Sequence, residues 1–300
     1  MSRAQRAALA AVLRNSPQDA GEQSVEQLRA GFAALMAGFP VPEDVRRTAT
    51  SIAGRPAVLV EPPQRSRPGT ILYFHGGSFS LGSPETAMAL TGHLVRRSGV
   101  RAISMDYRLA PEHPFPAAIE DGVAAYRSLL DEGAAPGSLV FAGDSAGGGL
   151  SVTVCLAARE AGLPVPAAIV AFSGAFDHTR SGESMRTKEG VDHFFTREGM
   201  GRTGELYLGG EDPEQPLLAP ALLADLHGFP PMLLQVGTDE LLLDDSTRMA
   251  ERARAQEVDV ILDVVAGVPH VFPAYVDALE EAGQAIDRAA LFVTQHLAAG

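Results

Sequence analysis

The chain contains, at residues 139–148, the stretch Leu-Val-Phe-Ala-Gly-Asp-Ser-Ala-Gly-Gly, in which a short apolar run is followed at once by a serine between glycines. The apolar run predicts a buried strand, and the residues from Ala146 onward predict a helix. A Gly-x-Ser-x-Gly turn at such a junction holds its serine in a strained bend, with the hydroxyl exposed above the sheet. Glycines are needed there because a Cβ atom would collide with neighbouring backbone. Ser145 is therefore the candidate nucleophile, beside helix N–H groups that favour a developing negative charge.

The same strand-then-helix pattern recurs along the chain. Strands are also predicted at residues 58–60, 70–74, 101–105, 168–172, 232–236 and 258–265, and helices at about 84–98, 116–132, 146–162, 244–256 and 274–297. Several of these strands are continuously apolar, as expected when helices cover both faces of a mostly parallel sheet. The pattern predicts a doubly wound α/β fold.

Two segments depart from this alternation. Residues 1–45 carry apolar residues at helical spacing, and this stretch ends at Pro40 and Pro42. Residues 175–222 are mixed, and they come late in the chain, where an insertion can cover the carboxyl ends of the strands. We predict a catalytic domain over residues 46–300, with 1–45 as a helical cap segment and 175–222 contributing to the cap.

The composition excludes several classes of protein. The 300 residues include 24 Lys and Arg against 37 Asp and Glu, and a net charge of −13 argues against nucleic-acid binding and against docking on an anionic membrane. The chain lacks the apolar run of about 18 residues that a membrane helix needs, so we expect no stable membrane association. The single cysteine, Cys155, excludes an internal disulfide and a cysteine-based zinc site, and it predicts a reducing, cytoplasmic location.

A second glycine-rich motif follows the predicted strand at residues 70–74. His75-Gly76-Gly77-Ser78 would leave backbone N–H groups unshielded at the carboxyl end of that strand. The N–H groups of Gly76 and Gly77, together with that of Ala146, can face an acyl oxygen as an oxyanion hole. His75 has no second ligand at metal-binding spacing, so we expect no metal site there.

A nucleophilic serine needs a base and an acid, which α/β folds of this kind supply later in the chain in the order acid, then histidine. His270 lies in a loop after the last predicted strand, whereas His296 falls within the last helix and is interpreted as a surface residue. For the acid we choose Asp239, which follows the strand at residues 232–236, with Glu240 beside it as the alternative. Asp244 and Asp245 lie where a helix begins, and capping explains them adequately.

Together the motifs resemble the bacterial hormone-sensitive-lipase-like esterases, a branch of the α/β-hydrolases. The residues that carry the resemblance are His75-Gly76-Gly77, the Asp106-Tyr107-Arg108-Leu109-Ala110-Pro111-Glu112 stretch and Gly143-Asp144-Ser145-Ala146-Gly147. The resemblance runs from about residue 55 to the end, and it places Asp239 and His270 where the family has its acid and base. It implies that the Tyr107–Glu112 stretch braces the oxyanion loop. This chain departs from the family at Ser78, where a third glycine is usual.

The resemblance implies a serine carboxylesterase acting on short- to medium-chain esters, with no metal or organic cofactor. The expected partner is a small-molecule ester or lactone, and a homodimer is common in the family. A lactone, amide or acetyl hydrolase, or an acyl-transfer enzyme, would use the same triad, so these alternatives stay open. A non-catalytic receptor on the same fold is disfavoured because His270 is present, and a long-chain lipase is disfavoured by the acidic composition.

Overall fold

The computed structural model describes residues 3–14, 23–64 and 67–297. Its strands are β1 (Arg46–Ile52), β2 (Arg55–Glu61), β3 (Thr70–Phe74), β4 (Arg101–Met105), β5 (Leu139–Asp144), β6 (Ala168–Phe172), β7 (Met232–Asp239) and β8 (Val260–Pro269). The α-helices are α1 (Arg3–Arg14), α2 (Val25–Met36), α3 (Met88–Ser98), α4 (Ala117–Asp131), α5 (Ala146–Glu160), α6 (Ser184–Thr187), α7 (Arg197–Leu208), α8 (Pro220–Leu223), α9 (Leu243–Ala255) and α10 (Glu280–His296). Short 3-10 helices cover Pro84–Ala87, Pro136–Ser138 and Phe272–Ala274. Within the predicted helical segment 1–45, residues 1–2 and 15–22 lie outside the described ranges.

The described strands form one sheet in the order β1-β2-β4-β3-β5-β6-β7-β8. Strand β2 pairs antiparallel with β1 and with β4, and the remaining neighbours are parallel. The predicted mostly parallel α/β sheet is thereby confirmed. The sequence analysis missed β1, because its residues are polar and all but Ile52 are exposed, as is typical of a sheet edge.

Helices cover both faces of the sheet, which explains the continuously apolar strands. In β5, Leu139 and Phe141 pack into the core shared with α4, α5 and α9. Val140 and Ala142 point the other way, into the core shared with α3 and α10. Because neighbouring residues of a strand face opposite sides, a strand buried on both faces must be apolar throughout.

The N-terminal helices pack against this α/β body. Helix α2 begins at a capping box in which Ser24 and Gln27 satisfy each other's backbone N–H groups. Its Arg29 donates hydrogen bonds to the Glu112 carboxylate, both at 2.7 Å, and to the Ser80 carbonyl at 2.9 Å. Helix α2 is therefore tied both to the loop after β3 and to the motif that ends at Glu112.

Six residues with polar side chains directly follow parallel strands: His75 after β3, Asp106 after β4, Ser145 after β5, Ser173 after β6, Glu240 after β7 and His270 after β8. The carboxyl ends of parallel strands meet at one edge of a sheet, where ligands bind in open α/β folds. The topology therefore gathers side chains that are far apart in sequence.

Candidate active site

Ser145 occupies a sharp turn between β5 and α5. Its backbone has φ 53° and ψ −120°, a conformation that residues with a Cβ seldom adopt. The Ser145 N–H donates to the Phe172 carbonyl of β6 at 2.8 Å, which holds the turn against the sheet. The strand–serine–helix turn expected from the sequence is therefore present, and its serine lines a cleft at the sheet edge.

The glycines on either side of the turn are required by backbone packing. A Cβ atom at Gly147 would overlap the carbonyl oxygen of Phe74, and one at Gly143 would overlap the carbonyl oxygen of Gly147. Backbone atoms cannot swing aside as the end of a flexible side chain can. Strand β3 and the start of α5 can approach this closely only with glycine at both positions.

We expect Gly147→Ala to lower the free energy of unfolding by about 3 kcal/mol or more, because the new methyl group has no space. Gly31→Ala is the matched control, since Gly31 lies within α2 and a Cβ there would meet nothing within 4 Å. That control should gain about 0.5–1 kcal/mol from improved helix propensity. Urea unfolding followed by circular dichroism measures both, and equal stabilities of the two variants would contradict the packing argument.

His270 is paired with Glu240. The ring Nδ1–H of His270 donates to Glu240 Oε2 at 2.7 Å, and both side chains are buried. The other carboxylate oxygen accepts from the Ser173 hydroxyl at 2.8 Å and from the Gly237 N–H at 2.7 Å. The glutamate is thus held by three donors, and it fixes the orientation of the imidazole ring.

The choice of Asp239 as the carboxylate partner of His270 was wrong, and the alternative, Glu240, makes the contact. Asp239 is the last residue of β7 and pairs across the sheet with Pro269, beyond a register irregularity. Successive side chains at a strand end point to opposite sides, so the two neighbouring carboxylates cannot both reach the ring. Asp239 instead accepts from the Thr238 hydroxyl at 3.1 Å and lines a separate small cavity under α1.

The charges around His270 favour its protonated form. Burial acts to lower the pKa of His270, but the charge of Glu240 and its hydrogen bond raise it, and Asp192 and Asp144 add to this effect. The pKa of His270 is therefore raised above the ordinary histidine value. A base with a raised pKa accepts a proton more readily once it is neutral.

The second ring nitrogen of His270 remains available. Nε2 is buried and has no hydrogen-bond partner among the described residues. Phe195 packs edge-on against the ring at 4.8 Å and also lines the cleft beside Ser145. An imidazole held through Nδ1 with a free Nε2 can take a proton from a neighbouring group.

Ser173 links the histidine loop to the serine turn. Besides donating to Glu240, its hydroxyl oxygen accepts from the Val271 N–H at 2.9 Å. Two residues further on, the Ala175 N–H donates to the Ser145 carbonyl at 3.1 Å. The segment after β6 therefore holds both halves of the site, a role that the sequence analysis did not assign.

The three predicted oxyanion donors differ in their position relative to the cleft. Ala146 lines the cleft, whereas Gly76 and Gly77 are not among its lining residues. The amide of Gly76 interacts with the Asp144 carboxylate and lowers the pKa of that group, against a larger opposing effect of burial. Ser78, which was noted only as a departure from the family, does line the cleft, with φ 53°.

Buried tyrosines hold the serine turn and the loop after β3 in place. Tyr73 donates its hydroxyl to Asp144 at 2.8 Å, and burial raises the pKa of Asp144 to about 6. Tyr107 donates to the His75 carbonyl at 2.7 Å and stacks on its ring at 4.2 Å, in agreement with the bracing role expected for the Tyr107–Glu112 stretch. Burial lowers the pKa of His75 to about 4, so this imidazole is neutral at pH 7.

Asp192 is a further buried carboxylate that the sequence did not single out. It accepts N–H groups from Leu241 at 2.8 Å, Phe194 at 2.8 Å and Phe195 at 3.0 Å. Leu241 directly follows Glu240, and Phe195 packs on the histidine ring. Asp192 thereby positions neighbours of the buried pair, and nothing in the mixed sequence around it signals this.

The cleft beside Ser145 is narrow, with about 40 Å³ of free space. One wall is aromatic, where Tyr207 of α7 stacks on Phe79 at 3.8 Å. The facing side chains come from the segment after β6 and from α7, and they include His178, Arg180, Met200 and Thr203. Residues between 175 and 222 therefore form much of the cleft wall.

In the part of the chain that the structure describes, no group of three or more His, Cys, Asp or Glu side chains could hold a metal ion. No described helix is both long and apolar enough to cross a membrane.

A serine at a strand–helix turn, beside a buried carboxylate–histidine pair at the carboxyl edge of a mostly parallel sheet, is the arrangement of the α/β-hydrolase class. The family model described as alpha/beta hydrolase fold matches residues 71–274. An acetyl-hydrolase of Streptomyces hygroscopicus is 41% identical over 231 residues, or 77% of each chain. An esterase of Acinetobacter venetianus is 35% identical over 232 residues, or 77% of this chain and 76% of that one.

Solved structures agree with these relatives. The crystal structure of EstE5 soaked with p-nitrophenyl butyrate has a TM-score of 0.94 and 38% identity, covering 99% of this chain and 100% of that one. A hormone-sensitive lipase from a metagenome library has a TM-score of 0.94 and 40% identity, covering 98% of each chain. The chain belongs to the α/β-hydrolase fold family, in its bacterial hormone-sensitive-lipase-like esterase branch, and is a carboxylic ester hydrolase.

Proposed function

We propose that the protein hydrolyses short- to medium-chain carboxylic esters through a triad of Ser145, His270 and Glu240. The observation that carries this proposal is the buried 2.7 Å contact of His270 Nδ1 with Glu240, at the same edge of the sheet as Ser145. It leaves Nε2 without a hydrogen-bond partner in the part of the chain that the structure describes. This arrangement has the form of an activated serine nucleophile, in which a carboxylate orients the base.

In the first half of the reaction, Ser145 Oγ attacks the ester carbonyl carbon while His270 Nε2 takes the hydroxyl proton. The negative charge that develops on the carbonyl oxygen is received by the Ala146 N–H and by amides of the Gly77–Ser78 segment. Gly76 is less suited because its amide interacts with a carboxylate. Cleavage of the C–O bond releases the alcohol, which takes the proton back from His270, and leaves the acyl group on Ser145.

In the second half, His270 takes a proton from water, whose oxygen attacks the acyl carbon. The carboxylic acid is then released, and Ser145 Oγ recovers its proton. The Glu240 carboxylate keeps the ring in the required tautomer and stabilises the imidazolium that forms twice in each cycle.

We also propose that residues 1–45 and 175–222 act as a cap over a catalytic domain spanning residues 46–300. The position of α7 on the cleft wall supports this division, as do the contacts of Arg29 with the loop after β3. Such a cap would set the acyl preference, since the chemistry itself is shared by esterases and lactonases.

The cleft favours short acyl groups because Tyr207 and Phe79 narrow it and little free space remains. A relative named acetyl-hydrolase and a neighbour soaked with p-nitrophenyl butyrate support the same range.

We expect kcat/KM for p-nitrophenyl acetate and butyrate to exceed that for the decanoate by about tenfold or more, since burying each misfitting group costs about 1–3 kcal/mol. A series from acetate to palmitate measures this, with the uncatalysed rate of each ester subtracted. A maximum at palmitate would overturn the proposed chain length.

A further inference from the structure

One wall of the cleft contains a positively charged side chain, that of Arg180. Arg180 lines the same cleft as Ser145, Phe79 and Tyr207. Among the described residues its guanidinium makes no hydrogen bond and no ion pair. This is unusual, because a partly buried arginine ordinarily finds carboxylate or carbonyl partners for its five N–H donors.

The fold makes room for this guanidinium at some cost. A Cβ atom at Gly204 of α7 would overlap Arg180 Nη2 unless the guanidinium moved, whereas one at Gly201 would make only an ordinary contact with Nη1. Glycine inside a helix is less favourable than alanine. Arg180 itself has φ 54°, in the left-handed region that residues with a Cβ seldom adopt. Gly204 thus leaves the space that the guanidinium occupies in the cleft wall.

Two of the carboxylates whose charges act on Arg180, Asp177 and Asp245, have other partners. Asp177 accepts from Arg248 at 3.3 Å and from the Ser181 hydroxyl at 2.9 Å. Asp245 accepts the N–H groups of Phe176 and Asp177, and burial raises the pKa of Asp245 well above its usual value, which favours its neutral form.

Glu205 is exposed on α7 and is not among the residues that line the cleft. Burial lowers the pKa of Arg180, and the acidic groups Glu205, Asp245 and Asp177 oppose this effect. An arginine nevertheless remains charged at pH 7. The cleft therefore presents a cation whose hydrogen-bond donors meet no acceptor in the described parts of the chain.

We propose that the substrate is an ester that also carries an anionic group, such as a carboxylate, and that this group pairs with Arg180 while the ester carbonyl lies at Ser145. The planar guanidinium can bind a carboxylate through two parallel N–H···O bonds, which fixes orientation as well as supplying affinity. This inference rests on the proposed ester hydrolysis and narrows its substrate class.

The test compares matched ester pairs that differ in charge. On the acyl side, mono-p-nitrophenyl glutarate is compared with neutral p-nitrophenyl valerate. On the alcohol side, the butyrate ester of 4-hydroxybenzoate is compared with the butyrate ester of methyl 4-hydroxybenzoate.

The measured quantity is the ratio of kcat/KM between the anionic and the neutral ester of each pair. We expect this ratio to be about ten or more in one pair, since hydrogen bonds to charged groups contribute about 1.5–3 kcal/mol. The pair that shows it identifies the side of the ester that carries the charge.

Arg180→Gln should bring that ratio to about one or below, and Arg180→Lys should retain part of it because the charge persists. Arg202→Gln is the matched control, since it removes the same charge from an exposed position on α7 and should leave the ratio unchanged. If Arg180→Gln does not fold, the salt dependence of the wild type replaces it. Raising NaCl from about 50 to about 500 mM should then lower kcat/KM more for the anionic ester than for the neutral one, because the ion pair forms from a charged ligand in solution.

The inference is overturned if the wild type hydrolyses the neutral esters and shows a ratio near one in both pairs. A ratio that Arg180→Gln leaves intact also overturns it. Absence of hydrolysis of every ester, neutral ones included, would instead contradict the proposed function on which the inference rests.

Discussion

Replacing Ser145 with alanine is expected to lower kcat for p-nitrophenyl butyrate by at least about 10⁴-fold, because the members of a catalytic triad act as a unit. Without the hydroxyl no acyl-enzyme can form, and only water attack assisted by the remaining donors is left. The small side chain of alanine fits the same turn, so circular dichroism and thermal unfolding should show a folded variant.

Ser151→Ala is the matched control for that experiment. Ser151 lies in the same helix, α5, and donates its hydroxyl to the Gly148 carbonyl of that helix rather than into the cleft. We expect its kcat to stay within about threefold of the wild type, because this hydrogen bond contributes about 1 kcal/mol to stability and nothing to the reaction. Residual activity of folded Ser145→Ala above about one per cent would exclude Ser145 as the nucleophile.

Replacing Glu240 with glutamine is expected to lower kcat by about 10²–10⁴-fold, whereas Asp239→Asn should change it by less than about threefold. Glutamine keeps the shape of the side chain but loses the charge that orients His270 and stabilises its imidazolium form. Asp239 contacts Thr238 and not His270, so its charge does not orient the imidazole ring. Steady-state kinetics on p-nitrophenyl butyrate measures both variants. A larger loss for Asp239→Asn than for Glu240→Gln would show that the observed pairing is not the functional one.

The pH profile of the same two variants gives an independent readout. His270 accepts a proton only when neutral, so kcat/KM should fall as the pH drops through the His270 pKa. The negative charges of Glu240, Asp192 and Asp144 raise this pKa, so the acid limb of the wild type should lie above about pH 6.5. Removing the Glu240 charge should move the limb to lower pH, and Asp239→Asn should leave it in place. An unmoved limb in Glu240→Gln would mean that another group titrates there.

The fold was predictable because its signals are local. Continuous apolar runs such as residues 168–172 can be buried only between two layers of helices, and each of the seven predicted strands overlaps an observed one. Strand β1 was not predicted because an exposed edge strand needs no apolar pattern. Helix α7 was not predicted because three glycines weaken its helical signal, and one of them, Gly204, leaves space for Arg180.

The turn around Ser145 was equally predictable from the sequence, since its glycines are required by backbone clashes. The carboxylate partner of His270 could not be predicted in this way. Asp239 and Glu240 are adjacent acids at the end of one strand, and only the pairing of that strand with β8 decides which of them faces the ring. Asp192 gave no signal at all, because its partners are backbone N–H groups, which every sequence contains.

The sequence by itself determined the parallel sheet, the strained serine turn and the place of His270 after the last strand, because each depends on chain-local sterics or on the pattern of apolar residues. The tertiary structure alone decided that Glu240 pairs with His270, that Ser173 joins the two halves of the site and that Arg180 enters the cleft with no partner among the described residues. Those contacts join residues up to 98 positions apart, as between Val271 and Ser173. They are fixed by strand register and by which side of the chain faces inward, which no single segment of the sequence specifies.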